Sequence, residues 1–178
     1  DKKKLPPIIA DGESGFGGIY NVYELTNQFI DSGVSGIHFE DQLASEKKCG
    51  HVGGKVVIPT HEYIKKLNSA RLSSDVSGVP IIIIARTDAM NAKLMTSDFD
   101  DRDSKYLSKN RTSDGYFLIE NNQEMAIAKS LNYAEYADVV WCETNTPDLG
   151  FAKEFADEIR KSHPNKILAY NCSPSFNW

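Results

Sequence analysis

Pro80-Ile81-Ile82-Ile83-Ile84-Ala85 runs directly into Arg86-Thr87-Asp88. An unbroken apolar, β-branched run without alternation is the pattern of a strand buried on both faces, as in a parallel sheet. The same pattern recurs on both sides of it. Pro7-Ile8-Ile9-Ala10 ends in Asp11, and Gly36-Ile37-His38-Phe39 ends in Glu40-Asp41. Asp138-Val139-Val140-Trp141-Cys142 ends in Glu143, and Lys166-Ile167-Leu168-Ala169-Tyr170 ends in Asn171. Five strands are therefore expected, each finishing on polar groups.

Helical patterns fill the gaps. Residues 20–31 stop short of Gly33, a helix exit. Residues 60–76 place Ile64, Leu67 and Ala70 on one face, and residues 123–136 are rich in alanine and other apolar side chains. Thr146-Pro147-Asp148 reads as a cap, a first-turn proline and a dipole-favoured acid. Leu149, Ala152, Phe155, Ala156 and Ile159 then form a core-facing stripe. Repeated β-α order leaves a doubly wound sheet or a (β/α)₈ barrel. Polar residues at successive strand C-termini suit the barrel, whose chemistry occupies that rim. A whole barrel takes eight strands and roughly 250 residues. The 178 residues thus read as one partial catalytic barrel domain, about five of the eight β/α units. A polar excursion around 90–122 interrupts it. Asp98, Asp100, Asp101 and Asp103 lack the glycine and closing glutamate of a calcium loop, so a solvated loop is expected there.

Composition limits function only loosely. Hydrophobic content of 40% and charged content of 25% are ordinary for a globular domain. A net charge of -5 disfavours nucleic-acid binding. The longest apolar run is too short to span a membrane, and no signal peptide is visible. Cys49, Cys142 and Cys172 are too far apart for a disulfide framework and read as free thiols in a reducing cytoplasm.

The carboxylates Asp11, Glu13, Glu40, Asp41, Asp88 and Glu143 all follow strand ends, where a barrel would gather them. Hard oxygen donors in that number suit Mg²⁺; the competing reading of each is a helix cap or an ion pair. Cys49 stands between Lys47-Lys48 and Gly50-His51, and positive neighbours favour a thiolate. No second Cys/His pair is near enough for zinc, and an incidental surface cysteine is the plain alternative. Arg86 offers a bidentate fork for carboxylates, and Asn171, Ser173 and Ser175 offer amide and hydroxyl donors. Together they imply a small substrate with two or three carboxylates. His38 is expected to be a hydrogen-bonded core histidine. Neither Gly15-Phe16-Gly17-Gly18-Ile19-Tyr20 nor Gly50-His51-Val52-Gly53-Gly54-Lys55 has the spacing of a nucleotide loop; both read as rim turns.

Lys47-Lys48-Cys49-Gly50-His51 resembles the signature of isocitrate lyases. Residues 9–18, His38-Phe39-Glu40-Asp41-Gln42, Ala85-Arg86-Thr87-Asp88, Trp141-Cys142-Glu143-Thr144 and residues 171–178 resemble further blocks of that family, in the family's order. The resemblance implies a (β/α)₈ barrel, usually a homotetramer, that splits isocitrate into succinate and glyoxylate. It implies a Mg²⁺ cofactor, with Mn²⁺ able to substitute. Asp11 is similar to the metal site, with Glu13 and Glu40 around its water shell. Cys49 is similar to the catalytic thiol, with His51 beside it. Gly50, His51, Arg86, Asn171, Ser173 and Ser175 resemble substrate contacts, and Glu143 an active-site carboxylate. A cytoplasmic location is implied, or a peroxisomal one in a eukaryote.

The family's upstream Ser-Gly-Trp motif and its later strands are not in these 178 residues. The chain alone is accordingly expected to be inactive and to aggregate through unpaired strand edges. The rival readings are a 2-methylisocitrate or related lyase, and a non-catalytic barrel fragment.

Overall fold

The computed structural model describes residues 6–49, 52–171 and 173. In chain order the elements are β1 (Ile9–Asp11), α1 (Ile19–Asp31), β2 (Gly36–Glu40), β3 (Lys55–Val57), α2 (Thr60–Ser77), β4 (Ile82–Thr87) and β5 (Ala92–Met95). There follow α3 (Asp101–Ser104), β6 (Leu107–Arg111), β7 (Phe117–Ile119), α4 (Asn122–Tyr133), β8 (Val139–Cys142), α5 (Leu149–Ser162) and β9 (Ile167–Tyr170).

The five expected strands form one all-parallel sheet in the order β1-β2-β4-β8-β9. Each neighbouring pair is joined through a helix, as parallel pairing demands. The sheet is open: among the described residues β1 and β9 each pair on one side only. Burial explains the continuous hydrophobicity. Every residue of β2 is buried, and so is all of β4 after Ile82, whereas the edge strands β1 and β9 are half-buried or exposed. One face packs Ile37, Phe39, Ile83 and Ala85 against Val22 of α1 and Tyr63, Ile64 and Leu67 of α2. Each fully buried isoleucine there contributes on the order of 1.5–3 kcal/mol.

The excursion at 90–122 is not a solvated loop. Strands β5, β6 and β7 pair with β3 in a second, four-stranded sheet of order β3-β5-β7-β6. Met95, Leu107 and Phe117 face inward and pack with Met125 of α4 and Phe155 of α5. Of the four aspartates at 98–103, Asp100 and Asp103 are buried as well, while Asp98 and Asp101 are exposed. Asp103 accepts hydrogen bonds from Thr60 N at 2.7 Å and Thr60 Oγ1 at 2.8 Å, and Asp100 accepts from His61 N at 2.8 Å. Pro59 gives α2 no side-chain cap; these two carboxylates satisfy its first amides from 43 and 39 residues away. The fully buried Lys129 of α4 completes the junction. Its Nζ donates to Ile58 O at 2.9 Å and Tyr133 Oη at 3.1 Å, lying 3.7 Å from Asp103 and 3.9 Å from Asp41.

Two smaller expectations fail at α5. Its cap is Asp148, which accepts from Phe151 N at 3.0 Å, and not Thr146. The buried stripe is Phe151, Phe155 and Ile159, while Leu149 is 87% exposed. With the cap at Asp148, Leu149 opens the first turn on the solvent side.

Candidate active site

Register brings the chemistry together. Glu40, Arg86 and Trp141 are partners across β2, β4 and β8, so their side chains form one row on one face at the C-terminal end of the sheet. Arg86 is the centre of that row. Its Nε and Nη2 donate to the two oxygens of Asp88 at 3.1 and 3.2 Å. Its Nη2 lies 3.3 Å from Glu40 and 3.9 Å from Glu143, and its guanidinium carbon sits 4.9 Å over the Trp141 ring. Asp88 also pairs with the fully buried Lys55 of β3. Asp41, likewise buried, accepts from Thr87 Oγ1 at 2.8 Å and Asp88 N at 2.9 Å, fixing the turn that carries Asp88.

The β1 end completes the group. Gly12 is required there, because a Cβ would meet Phe39 at 2.6 Å and the His38 carbonyl at 2.9 Å. The turn that follows holds Glu13 and Phe16 at φ of 52° and 53°, strained values for side-chain-bearing residues. That turn points the Glu13 side chain at Lys47, with which it pairs; Lys47 Nζ is also 3.6 Å from Glu40. Asp11 remains open, its side chain 54% accessible. Burial, reinforced by the nearby Asp88 charge, pushes the Glu40 carboxyl up to about 7 against the opposing pull of Arg86 and Lys47. Among the described residues, Glu13, Glu40, Asp88 and Glu143 pair with Lys47, Arg86 and Lys55, and with the open Asp11 the acids outnumber these cations, leaving the rim electronegative. Among the described residues no three His, Cys, Asp or Glu side chains converge closely enough to hold a metal unaided. An open carboxylate on an electronegative rim fits a hard cation that keeps most of its water, such as Mg²⁺, and does not fit an all-protein cage.

Cys49 is exposed on the connection between β2 and β3. The lysines before it have partners of their own: Lys47 holds Glu13 and Glu40, and Lys48 Nζ donates to Gly54 O at 2.9 Å. These contacts fix the loop on which Cys49 stands. Asn171 Oδ1 accepts from Thr144 N at 3.0 Å, and its Nδ2 donates to Glu143 Oε1 at 3.3 Å and Thr144 O at 2.6 Å. This locks the ends of β8 and β9 together. Gly50, His51 and Ser175 lie outside the described residues, and Ser173, within them, is half-buried.

The family model for the isocitrate lyase family matches residues 3–109 and 107–178. The chain belongs to the isocitrate lyase family. Relatives in that family include the isocitrate lyase of Corynebacterium glutamicum, 57% identical over 172 residues, which cover 97% of this chain and 40% of that protein. The isocitrate lyase of Salmonella typhimurium is 58% identical over the same proportions. The chain thus spans about 40% of the length of the curated relatives it matches. Among solved structures, an oxaloacetate acetylhydrolase in complex with 3,3-difluorooxalacetate aligns over 98% of this chain and 48% of its own, with a TM-score of 0.69 and 27% identity.

His38 does not become a hydrogen-bonded core histidine. Its Nδ1 is buried without a hydrogen-bond partner, 3.6 Å from Asp11, and its ring meets Trp141 edge-on at 5.0 Å. Burial lowers its pKa despite the Asp11 charge. Asp41 and Asp88 are internal supports and not rim ligands. Lys55 and Gln42 join the site through tertiary contact, Lys55 pairing with Asp88 and Gln42 with Glu40 and Lys48, roles that neither residue type nor spacing signals in the sequence.

Proposed function

We propose that the full-length protein carrying this chain is a Mg²⁺-dependent lyase that cleaves isocitrate to succinate and glyoxylate. The observation that carries this reading is the exposed Cys49 on a loop tied by Lys47 to the Glu13, Glu40 and Arg86 cluster at the strand C-termini. Asp11, Glu13 and Glu40 would hold Mg²⁺, which would supply positive charge to the substrate hydroxyl and an adjacent carboxylate. Arg86, oriented by Asp88 and Trp141, receives a substrate carboxylate. A general base takes the hydroxyl proton as the C–C bond breaks; the carbonyl of glyoxylate forms and the bonding pair passes to the succinate carbon. Arg86, His51, Asn171, Ser173 and Ser175 are assigned to stabilising that developing charge. Cys49 then delivers its proton to the carbon, which completes succinate with no net redox change.

In this reading the open sheet continues into an eight-stranded barrel, the enzyme is a homotetramer and it works in the cytoplasm. No helix among the described residues is long and apolar enough to cross a membrane. The deciding experiment compares turnover of isocitrate and 2-methylisocitrate by the full-length protein. Glyoxylate release with higher kcat/KM on isocitrate is expected; preference for the methylated acid overturns the substrate assignment.

A further inference from the structure

The connection from Gln42 to Val57 is closed at its base by a bridge between these two residues, with Leu43 N donating to Val56 O at 2.8 Å. Within it the Gln42 side chain, completely buried, engages both backbone polar groups of one residue. Its Oε1 accepts from Lys48 N at 2.9 Å and its Nε2 donates to Lys48 O at 2.9 Å. The same Nε2 lies 3.2 Å from Glu40 Oε1. A carboxamide is the side-chain group that can imitate a strand neighbour in this way, accepting and donating along one edge. The residue it holds immediately precedes Cys49 and the turn closed by Val52 N donating to Cys49 O at 2.9 Å. The far end of the connection is fixed independently, through Lys48 Nζ on Gly54 O and Lys55 on Asp88.

We propose that Gln42 is the positioning residue for the Cys49 thiol, setting where the sulfur stands relative to Glu40 and Arg86. This rests on the reading of Cys49 as the proton donor to carbon. An aliphatic side chain of similar length keeps the volume and loses both contacts to Lys48, letting the loop drift; it also loses the single contact to Glu40, which retains Lys47 and Arg86 as partners. A misplacement of about 1 Å at a reacting group is enough for roughly hundredfold loss.

The test uses the full-length protein and its Gln42→Met variant. The expected result is a kcat at least about tenfold lower, with KM for isocitrate within about threefold of the parent. Alkylation of Cys49 by iodoacetamide, read by mass spectrometry of its peptide, is expected to lose its protection by succinate and glyoxylate. A folded Gln42→Met enzyme with kcat within about twofold of the parent overturns the proposal. If that variant does not fold, amide exchange in the parent decides: a Lys48 amide protected by about a hundredfold or more supports the clamp, and an unprotected one overturns it. A parent that releases no glyoxylate from isocitrate sinks the lyase reading, and the exchange measurement still judges the clamp by itself.

Discussion

Replacing Lys129 by methionine is expected to destabilise the fold severely without touching the rim. The Lys129 ammonium has no solvent exposure and lies 3.7 Å from Asp103 and 3.9 Å from Asp41. At an effective dielectric near 20, each attraction amounts to about 4 kcal/mol. Recovered hydration of the lysine in the unfolded chain offsets several kcal/mol of the total. What remains is the penalty of two buried carboxylates stripped of their cation, about 3–5 kcal/mol. Burial already pushes Asp41 upward, and Lys129 is the group that opposes this. Equilibrium urea unfolding of the full-length protein, followed by tryptophan fluorescence, measures the loss as a lower midpoint at unchanged slope. The double variant Lys129→Met/Asp103→Asn is expected to recover at least about 1 kcal/mol relative to the sum of the single changes, because the two groups are in contact. A Lys129→Met loss below about 1 kcal/mol would refute the view that this lysine neutralises the junction.

Cys49→Ser in the full-length protein should reduce glyoxylate release by about a hundredfold or more, in steady-state assays with folding checked by circular dichroism; near-parental activity removes the thiol from the mechanism. Asp11→Asn should raise the Mg²⁺ concentration for half-maximal activity by more than about tenfold; an unchanged Mg²⁺ titration places the metal elsewhere. For acid stability, Arg102 donates from Nε and Nη2 at 2.8 Å to both oxygens of Asp100, holding that carboxyl well below its usual range. A depressed carboxyl stabilises the fold above the unfolded value of about 3.9 and loses that contribution as pH falls towards the folded value. The urea-midpoint gap between parent and Asp100→Asn should therefore be full near pH 6 and shrink below about pH 4; a gap that stays constant with pH contradicts this.

Strands buried on both faces announce themselves, which is why Ile82–Thr87 and its four partners were legible from hydrophobicity alone. The second sheet was not. Its strands are three to five residues long, and Leu107–Arg111 carries Ser108, Lys109, Asn110 and Arg111 towards solvent with only Leu107 buried. No period can be read from so few residues, and Asp100 and Asp103 between them carry no local sign of burial because their partners, the first amides of α2, are distant in sequence. The site divides in the same way. Strand-end position marked Glu40, Arg86 and Glu143, but nothing local shows that Asp88 faces Lys55 or that Gln42 faces the Lys48 peptide. Such pairings are made by tertiary contact, and register supplies them only once the sheet is known.

The second sheet draws on two insertions, one leaving the end of β2 and one leaving the end of β4, and β3 from the first finds its strand partner, β5, in the second. Neither insertion can peel away alone without stripping the other of its hydrogen bonds, so the two melt as one cooperative unit. Among the described residues, the connection that carries Cys49 is thereby pinned at both ends, at Gln42 through its bridge to Val57 and at Lys55 through its pairing with Asp88.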